Sequence, residues 1–183
     1  FVNTAKIDSA AANAAPTDIS LSASTISEGA GSLIIGSFST TDDQESSSFT
    51  YRLASVEGTD HASFNLNTAT GQLSLKAQPD YEAKASYSIS VVSTDEGGKA
   101  YSKSFDISIS DANDTPTITS TSVTSSTEDS AYSYTFGASD VDSGDTVTYA
   151  ATTLPSWLSF NAGSGVLSGT PTNSEVGAHS VVL

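Results

Sequence analysis

The sequence predicts an all-β fold of two tandem Greek-key β-sandwich domains, the second truncated at its C-terminus, and three observations carry that reading. Short runs with apolar and polar residues in alternation follow one another, and no amphipathic helix of useful length interrupts them. Glycine-bearing turns, Glu28-Gly29-Ala30-Gly31, Thr70-Gly71 and Glu96-Gly97-Gly98, separate the runs with residues that tolerate positive φ. After Pro116 the pattern begins again. A chain of 183 residues has room for two such sandwiches, each typically about 100 residues.

Taken in order, residues 1–14 are rich in Ala, Asn and Ser and form an N-terminal tail or linker. The first domain spans 15–110, with strands expected at Ile19–Leu21, Leu33–Phe38, Thr50–Leu53, Phe64–Leu66, Leu73–Leu75, Tyr87–Val92 and Lys103–Ile109. Alternation is clearest in the last two, which put Tyr87, Ile89 and Val91 on one face of the first and Phe105, Ile107 and Ile109 on one face of the second. Residues 111–116 link this domain to the second, 117–183. There Ser125-Ser126-Thr127-Glu128 echoes Thr25-Ile26-Ser27-Glu28, Ala138-Ser139-Asp140 echoes Thr40-Thr41-Asp42, and Thr148-Tyr149 echoes Thr50-Tyr51. Ser159-Phe160-Asn161 leading to Gly165 likewise matches Ser63-Phe64-Asn65 leading to Gly71. The second copy stops at Val181-Val182-Leu183, in what reads as a strand, short of its final strands; the expectation is a fragment of something longer with open sheet edges.

Charge narrows the partners. There are 21 acidic against 6 basic residues, for a formal net charge of −15. The basic residues, Lys6, Arg52, Lys76, Lys84, Lys99 and Lys103, all precede residue 104. Nucleic acid is excluded as a partner by the lack of a basic surface, whereas bound cations would relieve the self-repulsion. With no Cys and no Met, disulfide and thiol chemistry are absent. No apolar run reaches the ~18 residues that membrane insertion by a helix requires.

The carboxylates cluster. Asp111-Ala112-Asn113-Asp114-Thr115-Pro116 puts three oxygen-bearing side chains in four positions, and a connection built from them suits a hard cation with oxygen ligands. A polar turn without metal is the other reading of those residues. Glu28, Asp80-Tyr81-Glu82, Asp42-Asp43-Gln44-Glu45, Asp95-Glu96, Glu128-Asp129 and Asp140-Val141-Asp142-Ser143-Gly144-Asp145 fall beside expected loops. In extended backbone, residues i and i+2 point the same way, so Asp80 with Glu82 and Asp140 with Asp142 can each present two carboxylates to one ion. Calcium, which takes about six to eight oxygens, fits better than magnesium; the EF-hand spacing is not met.

Residues 13–116 resemble a cadherin repeat, through Ala15-Pro16-Thr17, Ile26-Ser27-Glu28, Thr70-Gly71-Gln72-Leu73, Asp80-Tyr81-Glu82, Ser93-Thr94-Asp95 and the closing Asp111-Ala112-Asn113-Asp114-Thr115-Pro116. Residues 117–183 are similar to the dystroglycan-type cadherin-like or Ig-like modules of large bacterial secreted or surface proteins, through Leu154-Pro155-Ser156-Trp157-Leu158-Ser159-Phe160 and Gly165-Val166-Leu167-Ser168-Gly169-Thr170-Pro171. The resemblance implies calcium between successive domains. Its ligands would be Glu28, Asp80, Glu82, Asp111, the Ala112 carbonyl, Asn113 and Asp114, with Asp140 and Asp142 from the second domain. Two ions are well provided for; a third is short of ligands, because Thr115 stands where the family has Asn. Asp42 and Asp95 match positions serving an ion shared with an upstream repeat, but Gln44 replaces an aspartate and Ala11-Ala12-Asn13-Ala14-Ala15 brings no carboxylate, so that site is expected to be weak or empty.

The function expected is a calcium-binding extracellular adhesion or spacer module, secreted or on a cell surface, in which interdomain calcium stiffens tandem sandwiches; the partner would be another surface protein or a polysaccharide. The alternative is a carbohydrate-binding accessory module using Trp157 with Tyr149 or Tyr132 as a platform, set against a Trp that plugs the core. An enzyme is not expected, since His61 and His179 lack a triad context.

Overall fold

The computed structural model describes residues 12–43 and 48–183. Lys6, Gln44 and Glu45, and whatever was expected of them, lie outside the described residues. The chain divides into two compact units, one running to Ala112 and the other from Asn113 to Leu183.

The first unit is a β-sandwich of two four-stranded sheets. Its strands are β1 (Asp18–Leu21), β2 (Thr25–Ser27), β3 (Ile34–Thr41), β4 (Phe49–Leu53), β5 (Phe64–Leu66), β6 (Gln72–Leu75), β7 (Ser86–Asp95) and β8 (Ala100–Ser110). One sheet has the order β1-β3-β6-β5 and the other β2-β8-β7-β4. All seven expected strands are present, and the eighth, β2, pairs parallel to β8. The long hairpin β7–β8 forms as its alternation requires: Ile89, Val91, Ile107 and Ile109 turn inward while Asp106 and Ser108 face solvent. Across the core they meet Ile19, Phe38, Leu73 and Leu75 from the other sheet. Ser93, fully buried among them, shares a 2.6 Å hydrogen bond with Thr40, whose hydroxyl also lies 3.1 Å from that of Tyr51; these partners satisfy what burial would otherwise leave unmet.

The approach to β7 is held by Asp60. Its carboxylate accepts hydrogen bonds from Lys84 Nζ (2.6 Å) and from the Ser88 amide (2.8 Å). Burial works against the ionised form, and the Lys84 and Ser88 bonds outweigh it, so the Asp60 pKa lies below its usual value. A carboxylate depressed in the folded state stabilises it above the unfolded pKa, and that contribution fades as pH falls through the folded value. We therefore expect Asp60→Asn to lower the melting temperature at neutral pH, with the gap to the wild type narrowing in acid melts below about pH 4.

In the second unit the strands are β9 (Thr117–Ile118), β10 (Tyr132–Thr135), β11 (Ala138–Ser139), β12 (Leu158–Asn161) and β13 (Val166–Gly169). They form the sheets β10-β13-β12 and β11-β9. The repetition is physical as well as textual. The Phe38 amide donates to the Gly71 carbonyl at 2.9 Å, and the Phe136 amide to the Gly165 carbonyl at 2.8 Å. Both glycines have positive φ (71° and 68°), and an added Cβ would stand 2.8 and 2.3 Å from the carbonyl oxygens of Phe38 and Phe136. Phe38 packs on Tyr51 as Phe136 packs on Tyr149, with ring centroids 6.1 and 5.5 Å apart.

Two textual matches need correction. The turn before Gly165 is made by Asn161 Oδ1, which accepts from Gly163 and Ser164 amides; its counterpart is Asn67, whose Oδ1 accepts from Ala69 and Thr70 amides, not Asn65. Asn65 stands two residues earlier, inside β5. Thr148-Tyr149 also forms no strand, although its echo Thr50-Tyr51 lies in β4. Residues in β4 are extended because β7 pairs with them, and no strand of the second unit lies beside Thr148 among the described residues. Val182 makes only an isolated bridge to Thr153. Leu167 and Pro171 are the second unit's two buried apolar side chains among the described residues, so this unit has a thin core.

Candidate metal centre

Two groups of carboxylates come together, one in each unit. In the first, strand pairing does the positioning. Ser27 of β2 lies opposite Ser110 of β8 in a parallel ladder, so the next residue on each chain, Glu28 and Asp111, emerges at the same end of the sheet. Glu28 is only 7% exposed. Its Oε2 accepts from the Tyr81 amide at 2.6 Å and its Oε1 from the Ala112 amide at 2.7 Å, so one carboxylate ties two loops together. Gln78 Nε2 in turn donates to the Glu28 carbonyl and, at 3.1 Å, to that of Ala30. Glu28, Glu82 and Asp111 each place a carboxylate oxygen within 4.8 Å of the others.

Asp80 is not in that group. The stretch expected to be extended is a turn over Tyr81–Ala83, and Asp80 Oδ1 caps it by accepting the Ala83 amide at 2.8 Å. The i, i+2 argument for Asp80 with Glu82 therefore fails, since it holds only for strand backbone. What brings Glu82 to Glu28 is the turn itself, anchored by the Tyr81 amide.

The second unit repeats the device with different parts. β11 pairs antiparallel with β9, Ser139 opposite Thr117, so the chain after β11 runs beside the residues before β9. The Asp114 amide donates to Asp142 Oδ2 at 2.7 Å, and Asn113 Nδ2 donates to the Asp114 carbonyl. Asp140 Oδ1 accepts the Asp142 amide at 3.0 Å, and the Asp145 amide reaches the Asp142 carbonyl at 3.2 Å through a turn whose Gly144 has φ 102°. Asp140, Asp142 and Asp145 thus set carboxylate oxygens within 4.8 Å of one another. Asp145 had no role as a ligand in the sequence reading. Ser143-Gly144 was its signal, a turn that returns the third carboxylate towards the first two.

Three carboxylates at this separation repel one another. The donor set fits a hard divalent cation, and one atom points to it specifically: Asp142 Oδ1 is buried and has no hydrogen-bond partner, although its sister oxygen is satisfied. Calcium accepts carboxylate and carbonyl oxygens in this kind of irregular arrangement.

The aromatic alternative looks different in three dimensions. Trp157 is half-buried, with its ring nearly perpendicular to those of Tyr132 (centroids 6.1 Å apart, 77°) and His179 (5.9 Å, 75°). Its backbone carbonyl presses on Gly169, where a Cβ would come within 2.0 Å. The indole borders an open cavity of about 1150 Å³ together with Tyr134, Leu167 and Val176, and its Nε1 is buried without a partner. Burial and the nearby Tyr134 raise the pKa of the Tyr132 hydroxyl, which donates to the Val123 carbonyl at 2.6 Å. His61 and His179 are engaged locally, with Thr59 Oγ1 and the Glu175 carbonyl respectively.

Comparison with known proteins agrees with this architecture. No curated protein matches the chain. Among solved structures it is similar to human protocadherin-24 EC1-2 (16% identity, 89% of this chain and 82% of that one, TM-score 0.61). It is also similar to Drosophila N-cadherin EC1-4 (18% identity, 90% and 42%, TM-score 0.58). Extracellular cadherin domains 3-6 of protocadherin gamma B2 match at 22% identity over 85% of this chain, with a TM-score of 0.53. The chain spans 39% and 40% of the length of two of the protocadherin gamma structures it is similar to. At these identities the likeness is one of fold. The Cadherin domain model matches residues 23–110 and the Putative Ig domain model residues 115–183, which leaves residues 111–114 between them. The chain carries a match to the Cadherin domain followed, four residues later, by a match to the Putative Ig domain.

Proposed function

We propose that this chain is a calcium-binding extracellular adhesion or spacer module, of the kind found in bacterial surface or secreted proteins, in which calcium makes the connection between two β-sandwich domains rigid. The domains would be 15–110 and 117–183, with 111–116 as the linker and 1–14 as a preceding tail. Glu28, Glu82, Asp111 and the Ala112 carbonyl would hold one ion, and Asp114, Asp140 and Asp142 a second, joined by Asp145, with Asn113 in reach and Asp80 offering its other oxygen. The reading places no enzymatic step here, and the cadherin-domain match supports it as an adhesive or structural module.

The observation that carries the proposal is the partnerless, buried Asp142 Oδ1 inside a group of three carboxylates. Carbohydrate binding receives less support, because Trp157 is half-buried and its ring packs at steep angles against Tyr132 and His179. Small-angle scattering of the full chain in EDTA and in millimolar calcium tests the mechanical claim. Calcium should narrow the distribution of interatomic distances; superimposable curves in the two buffers would mean that calcium does not stiffen the connection.

A further inference from the structure

We propose that Asn13 is a metal-free clamp, its side-chain amide serving where a cation would otherwise be needed to fix the segment that leads into β1. This inference does not rest on calcium binding elsewhere in the chain. Asp95 closes β7 and is only 5% exposed. Its Oδ1 accepts the Lys99 amide at 2.8 Å and its Oδ2 accepts Asn13 Nδ2 at 3.1 Å across 82 residues of sequence. An ionised carboxylate only accepts hydrogen bonds, so it takes the NH2 face of the amide and provides a neutral donor with its partner.

The turn is shaped to receive that amide. Asn13 Nδ2 packs directly on Gly97, where any Cβ would stand 2.2 Å from it. Four residues on, the Thr17 amide donates to the Thr41 carbonyl at 2.8 Å, so the segment is held at two points with Pro16 buried between them.

The contrast with the linker after β8 gives the inference its sense. Asn13 precedes Pro16 by three residues as Asn113 precedes Pro116, but Ala14 stands where Asp114 does. Asn113 donates to the carbonyl of Asp114, its own neighbour. A segment without carboxylates has no mutual repulsion for a cation to relieve, and one amide on one buried carboxylate is enough to dock it.

Hydrogen exchange at the Lys99 amide reads the clamp directly, because that amide bonds Asp95 Oδ1. In the wild type its protection should be the same in EDTA and in millimolar calcium, and Asn13→Ala should lower it about tenfold in both. Asn13→Asp faces Asp95 with a second carboxylate, so protection should fall in EDTA and recover when calcium is added. Protection in the wild type that rises with calcium, or that Asn13→Ala leaves unchanged, would overturn the proposal.

Discussion

Glu28→Gln is expected to lower the unfolding free energy of the first unit by about 3 kcal/mol, a large effect for one atom exchanged. Glu28 is buried, and each of its oxygens accepts a backbone amide, from Tyr81 and from Ala112. Glutamine keeps the shape but has one acceptor oxygen; its NH2 would face an amide that is itself a donor. One buried N–H then loses its partner, and the other loses the charge that strengthens its bond. Urea unfolding followed by far-UV circular dichroism measures the difference, with an unchanged slope showing that the fold persists. A loss under about 1 kcal/mol would mean that the two loops are held by something other than this carboxylate.

Ile107→Ala should cost about 2 to 5 kcal/mol, the range for a large aliphatic side chain truncated in a packed core. Ile107 is fully buried in β8, at the centre of a sheet flanked by β2 and β7, and faces a layer containing Leu73. Neither strand can close on the space left, because each is fixed by its own ladder. Leu167→Ala in the second unit is a useful companion. It removes one of the two buried apolar side chains there among the described residues, and Ile118 and Val176, which line the same cavity, are already exposed. A thinly packed site relaxes more easily, so the cost should fall at the low end of the same range. Equal losses at the two positions would contradict this contrast in packing.

How much of this was legible depends on what kind of signal each residue carried. The hairpin β7–β8 announced itself because its alternation runs long enough to count, from Tyr87 to Val91 and from Phe105 to Ile109. β2 did not: three residues with Ile26 alone buried have no periodicity, and they are a strand only because β8 lies beside them. Thr148-Tyr149 failed in the opposite direction. Its text resembles β4, but a strand is a pairing, and no described strand pairs with it. The aromatic contact between Phe136 and Tyr149 persists without it, since ring packing needs proximity and not a ladder.

The carboxylates show the same division. The resemblance implies Glu28 and Asp111, and the β2–β8 register is why they meet; the i, i+2 rule for extended backbone pairs Asp140 with Asp142, but they meet through a short loop in which Asp140 Oδ1 accepts the Asp142 amide. For Asp80 with Glu82 the rule for extended backbone does not apply, because Tyr81–Ala83 is a turn that Asp80 Oδ1 caps. Asp145 was passed over because Gly144 redirects the chain in a way that counting positions does not reveal.

Whether these carboxylates hold calcium is read most directly by calorimetric titration of calcium into metal-stripped protein, with Asp142→Asn run beside the wild type. Asparagine keeps an acceptor for the Asp114 amide while removing the charge at the buried, partnerless oxygen. The wild type should bind two ions, and the variant should bind one of them markedly more weakly or not at all. An ion at about 100 times its dissociation constant should also raise the stability of the bound state by roughly 2.7 kcal/mol, visible as a calcium-dependent melting temperature. Absence of binding heat at millimolar calcium together with an unmoved melt, or identical isotherms for the two proteins, would contradict calcium binding by these carboxylates.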